Sequence, residues 1–162
     1  MLQKPDDIVR LDDLSRFISR IIVHQQRSQP AMTKYLILYA ACAMVFFPLD
    51  FVWLSTMGKT VYQREIGTLL SPTPNLAVAA GFYLAYLVGV VILVAAPAEG
   101  DIVKALLTGA VLGFVAYGTY DLTNLSTMKG FTPTIAVIDI VWGTVLTASS
   151  AALGVWISRF FA

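Results

Sequence analysis

Three aspartates, Asp50, Asp121 and Asp139, lie inside long apolar stretches of the sequence. A charged side chain in a membrane helix costs on the order of 3 kcal/mol at the centre of the bilayer, so such groups usually face a protein interior or a wet cavity. There a carboxylate can bind a cation, carry a proton, or act as an acid or base on a substrate. The alternative is a structural role, in which each carboxylate is a buried hydrogen-bond acceptor between neighbouring helices.

Polar and aromatic side chains recur at helical spacing around these acids. Each acid is followed three residues later by a hydrogen-bonding side chain on the same helix face: Trp53 after Asp50, Asn124 after Asp121 and Trp142 after Asp139. If the apolar stretches cross the membrane alternately, the three acids lie about 10 Å inside the same membrane face. We therefore predict one polar, ligand-binding layer formed by Asp50, Trp53, Tyr83, Tyr86, Tyr117, Tyr120, Asp121, Asn124, Asp139 and Trp142.

Four apolar segments must position this layer, at about residues 35–56, 75–96, 102–123 and 134–156. Hydrophobic residues make up 57% of the chain, above the usual share of a soluble protein. Each segment has about the 20 residues that a helix needs to cross some 30 Å of hydrocarbon. Since the backbone must satisfy its own hydrogen bonds in lipid, the sequence predicts an all-α membrane protein with four transmembrane helices.

A short motif occurs twice, at 50–57 (DFVWLSTM) and at 121–128 (DLTNLSTM). The first and third helices run in the same direction, so the repeat favours two hairpins related as a parallel duplication. The alternative is two helix ends of similar chemistry. Small residues at four-residue steps are typical of close helix packing, within the chain or across a homodimer: Ala77, Gly81, Ala85 and Gly89, then Gly109 and Gly113, then Gly143, Thr147 and Ala151.

Residues 1–31 differ from the rest, and we expect them to form an extension to a membrane domain at 32–162. Their apolar residues recur at three- and four-residue steps, which predicts an amphipathic helix on the membrane surface or on a partner protein. The extension also carries Lys4, Arg10, Arg16, Arg20 and Arg27. Because basic residues favour the cytoplasmic side, the termini are expected in the cytoplasm.

Composition argues against several classes of function. A net charge of +1 gives no basis for binding nucleic acid. Cys42 is the single cysteine, so no intrachain disulfide forms, and the single histidine, His24, lies outside the apolar segments. We therefore expect no metal site built on membrane histidines, and no cofactor is indicated.

Four motifs carry a family resemblance: Asp50-Phe-Val-Trp-Leu54, Phe82-Tyr-Leu-Ala-Tyr86, Ala116-Tyr-Gly-Thr-Tyr-Asp-Leu-Thr-Asn124 and Val137-Ile-Asp-Ile-Val-Trp-Gly143. They resemble the bacterial membrane-protein family known as domain of unknown function 2177 over about residues 32–156. The third motif is the most specific, and the extension before Met32 departs from the family pattern. The resemblance implies four membrane helices in a bacterial inner membrane. It implies no established activity and no catalytic residues.

Three functions remain open at this stage. The first is binding or transport of a small molecule or lipid at the polar layer. The second is a structural or accessory subunit of a larger membrane complex. The third is a small lipid-modifying enzyme, in which an aspartate would act as acid or base while Lys59, Arg64 or Lys129 holds a head group.

Overall fold

The computed structural model describes residues 31–161, so the amphipathic helix expected in the N-terminal extension lies outside the described residues. The chain divides into two units, of which the second, Tyr35–Ala162, is compact. The second unit contains the residues that build the polar layer predicted above.

Four long helices account for most of residues 31–161. Helix α1 covers Ala31–Met57 and continues through a π-helical turn, Gly58–Tyr62, into a last α-helical turn, Gln63–Ile66. Helix α2 covers Leu76–Val90 and ends in a second π-helical turn, Val91–Ala95. Helices α3 and α4 cover Ile102–Thr127 and Pro133–Ser158. Each of the four is long and apolar enough to cross a membrane, which confirms the predicted fold class.

The first helix is longer than the sequence predicts. The apolar segments end at about residue 56 and resume at about residue 75, which predicts a connection over 58–74. Its first half instead continues α1 to Ile66. The physical reason is apolar burial: Ile66 is buried in a small cluster with Phe131 and Ile135, and Tyr62 packs against the same cluster. The helix therefore continues past the apolar segment because its last residues pack against this cluster.

Side-chain caps fix where the later helices begin. Asn75, Asp101 and Thr132 each accept a hydrogen bond from a backbone N–H in the first turn of α2, α3 and α4, respectively. Pro133 lies in the first turn of α4, as its position in the sequence indicates. The Thr132 hydroxyl also donates to Glu65 Oε2 at 3.0 Å, which ties the start of α4 to the end of α1.

The two copies of the repeated motif have the same local hydrogen bonds. Ser55 and Thr56 both donate to the Val52 carbonyl, at 3.0 Å and 2.8 Å. Ser126 and Thr127 both donate to the Thr123 carbonyl, at 2.8 Å and 2.7 Å. The match is compatible with duplication, and equally with two helix segments of similar chemistry.

Helices α3 and α4 make a close contact through small residues. A Cβ added to Gly113 would lie 2.9 Å from Thr147 Cβ and would collide with the Gly143 carbonyl. The small residues predicted on these two helices thus pack against each other within the chain. Helix α4 is buried over most of its apolar length, whereas the other three are buried over less than a third of theirs.

The small residues of α2 do not pack as a continuous seam within the chain. Ala77, Gly81 and Ala85 are exposed, and no atom lies within 4 Å of a Cβ built on Gly81. The physical reason is that α2 turns its other side to the core, where Leu87 and Val90 are fully buried. In a bilayer the exposed face of α2 is left for lipid or for a second protein.

Candidate functional site

A cavity of about 390 Å³ lies between the four helices, at the depth of the predicted polar layer. Every helix contributes to its wall. The lining residues are Asp50, Trp53, Leu54, Tyr62, Ala79, Phe82, Tyr83, Tyr86, Ala116, Tyr117, Tyr120, Asp139 and Trp142. This volume falls in the range of small-molecule sites, about 300–1,000 Å³.

Two tryptophans stack on each other in the wall and connect α1 to α4. The rings of Trp53 and Trp142 are parallel within 4°, with centroids 4.3 Å apart. The Trp142 indole Nε1 donates to Asp50 Oδ1 at 3.3 Å, so the acid of one helix is held by the tryptophan of the other. Asp50 is only 5% exposed, and this hydrogen bond offsets part of the free-energy cost of burying its carboxylate.

The second acid of the cavity is held by a tyrosine. The Tyr62 hydroxyl donates to Asp139 Oδ1. The same hydroxyl accepts a hydrogen bond from Trp53 Nε1 at 3.2 Å. Tyr62 therefore links the tryptophan pair to Asp139 through two hydrogen bonds. Asp139 is itself only 8% exposed.

The remaining tyrosines complete the aromatic wall. Tyr83 lies beside Asp50, close enough to interact with its carboxylate. The Tyr86 hydroxyl shares a hydrogen bond of 2.9 Å with Thr147 Oγ1, and the rings of Tyr86 and Tyr117 meet edge to face at 6.5 Å. Tyr117 packs directly on Gly143, where a larger residue would displace its ring.

Two of the predicted site residues, Asp121 and Asn124, do not line the cavity. Asp121 is 0% exposed, whereas Tyr120 beside it lines the cavity and is 61% exposed. Helix α3 turns Asp121 into packed protein, within electrostatic range of Asp139. Asn124 is half-buried and lies nearly one further turn along α3, too far toward the helix end to reach the cavity.

Five lining residues are absent from the predicted set: Leu54, Tyr62, Ala79, Phe82 and Ala116. Of these, Tyr62 is the one whose side chain forms hydrogen bonds. It follows Gly58 and Lys59 in a stretch that resembles a polar connection. A usable signal was present, since Met57 and Val61, and likewise Tyr62 and Ile66, are four residues apart, which is helical spacing.

The arrangement offers negative charge and aromatic faces together. None of the cavity-lining residues found within 31–161 is basic. In the same part of the chain, no three His, Cys, Asp or Glu side chains converge in a way that could hold a metal ion. Carboxylates and the π faces of Trp and Tyr both attract organic cations, and burial strengthens that attraction.

The profile of the family described as "Predicted membrane protein (DUF2177)" matches residues 35–156, well over half of the chain. No curated protein and no solved structure matches the chain.

Proposed function

The chain belongs to the DUF2177 family of predicted membrane proteins, and from this premise we propose that it binds and transports a small organic cation. The ligand occupies the cavity between the four helices. Its positive group lies between Asp50 and Asp139, and its apolar part contacts the aromatic wall.

The observation that carries the proposal is the pairing of two buried acids with stacked indoles in one cavity. Asp50 and Asp139 each have one carboxylate oxygen engaged by an aromatic donor, Trp142 Nε1 and the Tyr62 hydroxyl. The second oxygen of Asp139 is left for a ligand, whereas the Asp50 carboxylate also interacts with Tyr83. A cation neutralises two carboxylates whose charge is otherwise costly at this depth.

Access from the bilayer supports an amphipathic ligand over a small hydrophilic one. Leu54 and Phe82 line the cavity and are exposed on the outside of α1 and α2. The first half of α2, from Leu76 to Phe82, is exposed along its whole length. A molecule with one charged end and one apolar end can therefore contact the acids and the acyl chains together.

Fluorescence of the cavity tryptophans tests the proposal. Trp156 lies away from the cavity, so a Trp156→Phe background leaves Trp53 and Trp142 as the emitters. In neutral maltoside micelles, benzyltrimethylammonium is expected to quench this emission saturably, whereas benzyl alcohol and benzoate are not. Asp50→Asn and Asp139→Asn are each expected to weaken binding on the order of tenfold, about 1.4 kcal/mol.

Asp101→Asn is the matched control, because Asp101 is an exposed cap at the opposite end of α3 and Asn caps a helix equally well. Its binding curve should equal that of the Trp156→Phe background. Equal quenching by the cation and by benzyl alcohol, or wild-type affinity in Asp139→Asn, would overturn the proposal.

A second candidate, a subunit of a homodimer or larger complex, is favoured by the exposed small residues of α2. In that case Asp50 and Asp139 are structural, and their substitution changes the assembly rather than an affinity. Size-exclusion chromatography of the same variants separates the two functions, since a binding protein keeps its elution volume.

A further inference from the structure

Asp121 differs from the two cavity acids in having no hydrogen-bond partner. Both of its carboxylate oxygens are enclosed and unpartnered, and the residue is 0% exposed. Asp50 and Asp139, in contrast, each accept a hydrogen bond from an aromatic side chain. The fold therefore encloses one acid without compensating its charge.

An ionised carboxylate in this position would cost several kcal/mol, and the chain must therefore neutralise it. Among residues 31–161 no basic side chain does so: the ion pair found there joins Arg64 to Glu65 at 3.0 Å, toward the end of α1. The same residues offer no cluster that could hold a metal ion beside Asp121. A bound proton is the remaining way to neutralise the group.

The groups that face Asp121 come from three helices. Asp139 of α4 is the acid that interacts with it electrostatically. Tyr62, at the end of α1, and Tyr120, on α3 itself, both experience its charge. From α2, Tyr83 interacts with Asp50 and Asp139 rather than with Asp121. Every one of these neighbours is an acid or a phenol, so the part of the chain that the structure describes supplies no positive charge to Asp121.

Asp139 connects Asp121 to the cavity, because it lines the cavity and also interacts with Asp121. The geometry points to Asp121 as a proton-binding site whose proton is exchanged for the cation in the cavity. The cation arrives beside Asp139, stabilises negative charge there and on Asp121, and the Asp121 proton leaves to solvent. Release of the cation reverses this, so that charge is conserved through a cycle of cation–proton exchange.

Only the coupling of proton release to ligand binding rests on the proposed cation binding; the proton site itself does not. The first test therefore omits the ligand. Infrared spectroscopy of the full-length protein should show the carbonyl stretch of a protonated, non-hydrogen-bonded carboxyl group at neutral pH. Asp121→Asn should remove that band, and Asp101→Asn should leave it unchanged. If Asp121→Asn does not fold, absence of the band from the wild-type protein would overturn the proton site without the variant.

The second test measures coupling with the benzyltrimethylammonium probe. Binding to the Trp156→Phe protein in weakly buffered micelles should release up to one proton per ligand, detected with a pH indicator dye. By linkage, affinity should rise by up to about tenfold for each pH unit over which the proton is released. In Asp121→Asn, binding should persist while proton release and pH dependence are lost.

The outcomes separate this inference from the proposed function. No binding by the wild-type protein, with the infrared band present, removes the cation site and leaves the proton site. Proton release from Asp121→Asn equal to that of the parent protein overturns Asp121 as its source. A probe affinity that depends on sodium concentration and not on pH assigns the site to a metal cation and overturns the exchange.

Discussion

At the scale of single residues, Tyr62 holds the two halves of the site together. Its hydroxyl accepts from Trp53 Nε1 and donates to Asp139, so one atom serves two buried groups. We predict that Tyr62→Phe destabilises the protein by about 1–3 kcal/mol, because both groups then lose a partner. Reversible unfolding, followed by circular dichroism, measures the loss, and a shift in Trp53 emission reports its location.

Tyr39→Phe is the control for this prediction. The Tyr39 hydroxyl donates to the Leu84 carbonyl at 3.2 Å, outside the cavity. Its loss should leave the tryptophan emission unchanged. Identical emission of Tyr62→Phe and wild type would contradict the role given to the Tyr62 hydroxyl.

Sequence predicts which acids are enclosed better than it predicts what they face. Asp50, Asp121 and Asp139 are all buried, as expected for carboxylates inside apolar helices. Counting residues along a helix gives depth, because the rise per residue is constant. It does not give the rotation of each helix against its neighbours, and that rotation decides that Tyr120, and not Asp121, lines the cavity.

At the scale of helices, the close approach of α3 to α4 sets the position of the cavity wall. Gly113 meets Thr147 and the Gly143 carbonyl, and Gly143 in turn holds the ring of Tyr117. We predict that Gly113→Ala destabilises the protein by about 1–3 kcal/mol, because the added methyl separates the two helices. Thermal unfolding in micelles measures the effect.

The exposed Gly81 on α2 is the matched glycine, since a Cβ there would meet no atom within 4 Å. Gly81→Ala should be neutral, or more stable by up to about 1 kcal/mol, because alanine favours the helix. A Gly113→Ala protein as stable as Gly81→Ala would show that the two helices can separate at little cost.

The small residues of α3 and α4 pack against each other within the chain, whereas those of α2 face outward, so a contact of α2 across a homodimer stays a prediction. A stripe of small residues allows another helix to approach closely, but it does not determine which helix packs against it. On α2 the larger side chains, Leu87 and Val90, occupy the core, and the small ones face outward. Likewise the continuation of α1 to Ile66 depends on contacts with Phe131 and Ile135, far away in the sequence.

At the scale of the whole molecule, four crossings place the two ends of the bundle on one side of the membrane. The connection after Ile66 and the turn before Pro133 then lie on the other side. We predict that, in a Cys42→Ala background, Ser71→Cys reacts with a membrane-impermeant maleimide in intact cells. Phe161→Cys should react only after permeabilisation.

This prediction assigns the termini to the cytoplasm on the basis of the basic residues near them. The parent Cys42 is fully enclosed beside Gly154, so its replacement removes background labelling without exposing a surface group. The reverse labelling pattern, with Phe161→Cys reactive in intact cells, would place the cavity nearer the cytoplasmic face.

The central position of α4 has a consequence for biogenesis. Of the four helices, α4 leaves the ribosome after the other three; it is buried over most of its apolar length, and it brings Asp139 and Trp142. Until it inserts, Asp50 has no indole to bind and Tyr62 has no carboxylate. A nascent chain stopped before Pro133 therefore has three helices and leaves Asp50 in the membrane without its indole donor. Such an intermediate is a candidate for degradation by membrane quality control.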